Sequence, residues 1–176
     1  MAFNGESWFL GQAFRLAQTA GLRGVVSFSD PVARTAADGT VVKPGHIGVI
    51  YQATNAAYLG LSTRTTHVLL RDGTVFDNRT AQIRRQDCGH EYAERRLIAM
   101  GARPMRAGQN PADWLAQALD DAEARRQQHP GKHRYAFRLG SNRRDRDAVV
   151  IALRPAPYPK RHLGQAALFD NTGRPA

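Results

Sequence analysis

The sequence predicts a mixed α/β fold, with a sheet flanked by helices. Three observations carry that prediction. Stretches with apolar residues at helical spacing alternate with short β-branched or strictly alternating runs. The breaks between them hold Gly, Pro, Asn and Asp in turn-forming combinations. No GxGxxG or phosphate-binding loop follows a strand-like run, which excludes a doubly wound nucleotide fold.

Residues 4–20 read as a helix. Leu10, Ala13, Phe14 and Ala17 recur at helical spacing, Asn4 or Ser7 can cap the start, and Gly21 is a stop. Residues 24–28 form a β-branched run, expected as a buried strand that Pro31 ends. Residues 32–44 are an excursion around Asp38-Gly39, either a small hairpin or a flap. Residues 46–58 read as a second helix with Ile47, Ile50, Tyr51, Thr54 and Tyr58 inward and Gly60 at its end. Residues 65–70 and 74–76 flank Asp72-Gly73, a hairpin signal, and residues 82–86 are a basic surface stretch.

Residues 91–100 read as a third helix ended by Gly101, and Asn110-Pro111 opens a fourth that runs to about Arg126. Residues 127–132 read as a loop. Tyr135, Phe137 and Leu139 then alternate with Arg134, Ala136 and Arg138, the pattern of a half-buried strand. Residues 142–147 form a charged turn or short helix, and residues 149–153 a last strand or helical turn. The expectation is one domain over residues 1–160 and a disordered polar tail over 161–176.

Composition narrows the function classes. The single cysteine, Cys88, excludes an internal disulfide framework and a cysteine-based zinc site. No apolar run has membrane-spanning length and no signal-peptide pattern opens the chain, so a cytoplasmic protein is expected. His90-Glu91 has no second histidine at helical spacing, so the zinc-protease motif is absent. The chain carries 25 Lys and Arg against 15 Asp and Glu, a net charge of +10. Arginine-rich surplus charge of this size suits a polyanion, though a solvated basic surface would look the same.

The residues able to do chemistry gather in residues 24–60. Ser27, Ser29 and Asp30 stand at the carboxyl end of the first strand, where α/β proteins place their sites. Asp30 there is either a functional carboxylate or a turn residue before Pro31. His46 is either an acid/base, metal or phosphate-contacting group or a polar helix start. Gln52 and Asn55 carry amides that match the edge of adenine, or are exposed helix amides. Two basic groups could meet phosphates: Arg84 and Arg85 with Arg95 and Arg96, and Lys132, Arg134 and Arg138 with Arg143, Arg144 and Arg146.

The blocks GVVSFSDP, GHIGVIYQATNAAYLG, GHEYAERRLIAMGA, and KHRYAFRLG with the later PYPK together resemble the Mom family of phage and prophage DNA-modification proteins. The resemblance spans most of the chain. It implies a partial fold like that of the N-acetyltransferase (GNAT) superfamily, with residues 24–28 as a central strand. It implies conversion of adenine in double-stranded DNA to its N6-carbamoylmethyl (acetamido) form, which evades restriction. Asp30 and His46 would then assist proton removal beside Ser27 and Ser29, and Tyr51 would stabilise or protonate a leaving group. Tyr51 is otherwise a core tyrosine with its hydroxyl bonded. An acetyl-coenzyme-A-like donor and iron come with the resemblance, and no residue of this chain is assigned to metal. The family pattern carries a further N-terminal part, so the resemblance expects this chain either to lack that segment or to complete its fold as a homodimer. A non-catalytic DNA-binding remnant or subunit, or an N-acyltransferase for another amine, are the alternative expectations.

Overall fold

The computed structural model describes residues 5–81 and 90–160, which form two compact units. The first unit comprises residues up to Pro31, Gly45–Thr63, and the chain from Pro130 onward. Its helix α1 (Gly5–Thr19) is followed by strand β1 (Gly24–Ser29), helix α2 (Val49–Ala53), strand β4 (Ala57–Leu61), strand β8 (His133–Arg138) and helix α5 (Arg143–Asp147). The three strands form one antiparallel sheet in the order β1-β8-β4. Strand β8 is therefore central. It has the alternating pattern read from the sequence, with Tyr135 and Phe137 buried on one face.

Strand β1 is an edge strand, not the buried central strand expected. Val26 and Phe28 lie half-exposed on the outer face, while Ser27 and Ser29 face inward with Val25. A β-branched run signals a strand; it does not signal how many neighbours the strand has. On the inner face Phe14 of α1 packs on Phe137 with ring centroids 4.6 Å apart. The opposite edge, β4, is covered by the proline-bearing segment after α5. Ala156 N–H donates to the Tyr58 carbonyl (2.9 Å) and the Tyr158 hydroxyl to the Ala56 carbonyl (2.8 Å), which blunts that edge.

The second helix is much shorter than residues 46–58. Gly48 sits in the left-handed region (φ 72°) just before it, and Asn55 (φ 59°) just after it. Both break the helical path, so only five residues are helical. Tyr58 and Gly60 belong instead to β4, where the register shifts between Tyr58 and Leu61.

The second unit comprises Val32–Pro44 and Arg64–His129. The excursion is a hairpin of β2 (Arg34–Thr35) and β3 (Val41–Lys43). Strands β5 (Thr65–Leu69) and β6 (Val75–Phe76) form the expected hairpin, with the Asp72 carboxylate accepting from Thr74 N–H at 2.9 Å. Strand β7 (Arg125–His129) pairs with β5 along five residues, where the end of the fourth helix and then a loop were expected. Its sequence, RRQQH, has no apolar alternation to signal a strand. Pairing to β5 supplies what intrinsic preference does not.

Helices α3 (His90–Ile98) and α4 (Pro111–Asp121) complete this unit. Asn110 caps α4 as its sequence promised, accepting from Ala112 N–H at 2.8 Å and Asp113 N–H at 3.3 Å. Leu70, Phe76, Ala93, Leu97, Trp114, Leu115 and Ala118 form the core. Leu97 is fully buried there, so Leu97→Ala should lower stability by about 2–5 kcal/mol, measured by urea unfolding.

Candidate functional site

The inner face of the first unit's sheet gathers the polar side chains that the sequence marks out. Antiparallel register fixes who neighbours whom. Ser27 lies opposite Tyr135 and Ser29 opposite His133 on one side of β8, and Tyr58 opposite Tyr135 on the other. Side chains at paired positions share a face. This face therefore carries Ser27, Ser29, Tyr58, His133 and Tyr135, with Phe137 beyond them.

Tyr135 organises the loop above the sheet. It is wholly buried. Its hydroxyl donates to the Ile47 carbonyl and accepts from Gln52 Nε2 at 3.2 Å. Gln52 Nε2 also reaches the Ile47 carbonyl at 3.2 Å. These bonds pin residues 47–52 onto the sheet. Burial pushes the Tyr135 phenol up, with Tyr58 adding to the rise, while the Gln52 and Ser29 side chains oppose it. The phenol is thus a neutral donor.

Gly48 makes the close approach possible. A Cβ there would stand 2.8 Å from Tyr135 Cε2, 2.8 Å from Tyr51 Cδ2 and 2.9 Å from Ser29 Oγ. Only a residue without a side chain, at a φ that favours glycine, fits between these three groups. Ser29 is 1 % exposed and its Oγ has no hydrogen-bond partner of ordinary geometry. Asp30 is also buried, and its carbonyl accepts the His46 N–H at 2.8 Å. His46 itself is exposed. The Tyr51 ring lies 5.3 Å from the Tyr135 ring and 6.2 Å from that of Phe137.

Ser27, Ser29, Tyr51 and Gln52 thus come together around Tyr135, while Asp30 and His46 are joined to each other by a main-chain hydrogen bond. His46 precedes α2 by two residues rather than beginning it. Gln52 uses its amide nitrogen to hold the loop. Asn55 does not join the group: it lies beyond the helix in left-handed conformation and is exposed, so it shares no helical face with Tyr51.

The sequence reading passed over two residues here. Tyr58 was expected to be structural on a helix, and His133 was not singled out. Yet the Tyr58 hydroxyl lies 2.9 Å from His133 Nδ1, and each residue is only 8 % exposed. The alternation of residues 133–137 places His133 on the same side as Tyr135 and was the available signal.

The basic groups divide. Arg84 and Arg85 lie outside the described residues. Lys132 is exposed. Arg134 points to the opposite sheet face, where its guanidinium donates to the Leu59 and Leu61 carbonyls at 3.2 and 3.0 Å. Helix α5 presents exposed Arg143, Arg144 and Arg146. Asn142 caps it by accepting from Asp145 N–H at 2.9 Å, and Arg23 pairs with Asp145 at 2.7 Å. The Arg23 bond, helped by Ser141 N–H, lowers the Asp145 carboxyl to about 2.

Among the described residues no three His, Cys, Asp or Glu side chains converge on a metal position. The first turn of α1 carries Glu6, whose charge competes for the helix dipole that an acyl-donor pyrophosphate would use. In the second unit a cavity of about 520 Å³ lies between α4 and the preceding loop, lined by Arg103, Arg106, Gln109, Trp114, Gln117 and Asp121 among others. It holds no acid–base pair suited to amine chemistry, since Asp121 is bonded to Arg103 at 3.3 Å.

Gly48→Ala should displace Tyr51 or Ser29 and destabilise the protein by about 1–3 kcal/mol. Near-ultraviolet circular dichroism should report altered tyrosine packing, and an unchanged spectrum and midpoint would show that the contact is not tight.

No helix among the described residues is long and apolar enough to cross a membrane. No curated protein and no solved structure matches the chain significantly. The model of the Mom protein family matches residues 1–160. That is most of the chain, and the general role of the family is phage DNA modification. The chain belongs to the Mom protein family.

Proposed function

We propose that this protein modifies adenine in double-stranded DNA at N6, giving the carbamoylmethyl derivative, on a fold related to N-acetyltransferases. The observation that supports the reading is the packing of Ser29, Gly48 and Tyr51 about Tyr135, on the unit in which the His46 N–H also bonds the Asp30 carbonyl. The chemistry calls for such a group. The adenine amino lone pair is delocalised into the ring, so attack on carbon needs an aligned proton acceptor. N6 also lies within a base pair, so the target nucleotide must leave the stack.

In this reading the extruded adenine lies against the loop of residues 46–48. One bond forms, from N6 to the transferred carbon. One bond breaks, between that carbon and the leaving group of its donor. The N6 proton goes to Asp30 or His46, and Tyr51 donates a proton to the leaving group. The buried Ser29 hydroxyl lies at the floor, beside Gly48 and Tyr135. The arginines of α5 hold phosphates, acting on register rather than sequence.

Nucleosides from DNA co-expressed with the protein should contain a carbamoylmethylated adenosine by mass spectrometry. Tyr51→Phe should abolish it while leaving DNA affinity intact; full modification by that variant removes Tyr51 from the chemistry. Unmodified DNA with salt-sensitive binding by the wild type would favour a DNA-binding subunit. Arg143→Ala combined with Arg144→Ala should reduce the slope of log K against log salt by about 2. An unchanged slope places the phosphate contacts elsewhere.

A further inference from the structure

Strand β7 reads RRQQH, and its partner β5 reads TTHVL. Neither carries an acidic residue. Successive side chains of a strand point to opposite faces, so the arginine pair and the glutamine pair are each split between faces. One face is committed to the fold. Arg125 donates to the carbonyl and the hydroxyl of Thr35 in β2, Gln127 is half-buried, and the buried His129 has its ring 4.8 Å from that of His67. The other face is committed only at one end, where Val68 packs on the core. Arg126 opposite Val68, and Gln128 opposite Thr66, are exposed, as is Thr66 itself. Strand β6 pairs only with Val68 and Leu69. Among the described residues, 65–67 and 127–129 therefore form a two-stranded ribbon.

We propose that this outer face of β5 and β7 reads base edges in the major groove of the duplex, with Arg126 addressing a guanine and Gln128 an adenine. It rests on the reading of double-stranded DNA as the substrate. The arginines of α5 were assigned to phosphates, which carry no sequence information; this face supplies the sequence choice that phosphate contacts leave open.

The chemistry of the side chains fits that role. A guanidinium offers two parallel N–H donors to guanine O6 and N7, and a glutamine amide matches adenine N6 and N7. Thr66 adds a methyl group of the kind that packs on a thymine methyl. A major groove about 12 Å wide admits a two-stranded ribbon. Residues two apart on a strand lie about 6.8 Å from each other, twice the base-pair rise of about 3.4 Å, so Arg126 and Gln128 address pairs two steps apart. Arg64, exposed just before β5, adds a cation for the flanking phosphates. Charge on an edge strand also discourages pairing with other edges. That protective role asks only for charge, and lysine fills it as well as arginine does.

Selection of duplexes from a random-sequence pool by the full chain, read by sequencing, tests the readout without any assay of activity. The wild type should enrich duplexes with a guanine and an adenine two pairs apart. Arg126→Lys keeps the charge but not the fork, and should relax the guanine position by about 10- to 100-fold at unchanged affinity for mixed-sequence DNA. Gln128→Ala should relax the adenine position alone, by a similar factor. Both side chains are exposed, so both variants should melt with the wild type. No enrichment by the wild type, or wild-type enrichment in both variants, overturns the proposal. In co-expressed DNA, the variants should spread modified adenosine over more sequence contexts than the wild type does. Modification confined to the wild-type contexts in both variants overturns the readout and leaves adenine modification standing. Enrichment that is lost in the variants, with no modified adenosine from the wild type, supports the readout and overturns the modification chemistry instead.

Discussion

The buried hydroxyl of Tyr135 is the constraint on which the rest of the site depends. A phenol taken out of water must keep a partner, since an unsatisfied buried donor costs about 1–3 kcal/mol. Here the partners lie on one short loop: the Ile47 carbonyl and the Gln52 amide. Satisfying the tyrosine therefore fixes residues 47–52 in space. It also forces the backbone at residue 48 so close to the sheet that only glycine fits. Tyr51 is placed by the same pinning, and His46 is held from the other side by the Asp30 carbonyl. One hydrogen-bonding requirement thus aligns side chains from β1, the loop and α2.

Much of this was legible in the sequence because it is local. The Asn110-Pro111 start of α4, the Asp72-Gly73 hairpin and the alternation of residues 134–139 each depend on neighbours within a few positions. The approach of Ser29 to the segment that carries Tyr51 was also readable, since a strand end and the next helix commonly meet. Other features were not local. Nothing in GVVSFS says whether the strand will have one neighbour or two. Nothing in RRQQH says that β5 will recruit it. The short α2 depends on left-handed backbone at Gly48 and Asn55, and the periodicity of Ile47, Ile50, Tyr51, Thr54 and Tyr58 concealed both breaks. That same error hid Tyr58 on a helix and so hid its bond to His133.

Charge shows a similar limit. Counting arginines gives the sign of the surface field but not its address. Arg134 is as basic as Arg144 in sequence, yet its guanidinium is occupied by two main-chain carbonyls and its Nε is buried. It stabilises the bulged end of β4 rather than meeting solvent. Arg23 is likewise committed to Asp145, and through it to the start of α5. That pair is solvent-exposed, so its contribution to stability is small. What it does is positional: with the Asn142 cap it secures a helix of only five residues that could not hold itself. The exposed arginines of α5, of which Arg143 lies 3.6 Å from Asp147, are then presented from a fixed platform. A guanidinium already ordered before contact loses less freedom on meeting a phosphate than one on a loose tail. Three exposed arginines on an anchored helix are consequently a stronger reason to place a polyanion here than the net charge of +10 by itself.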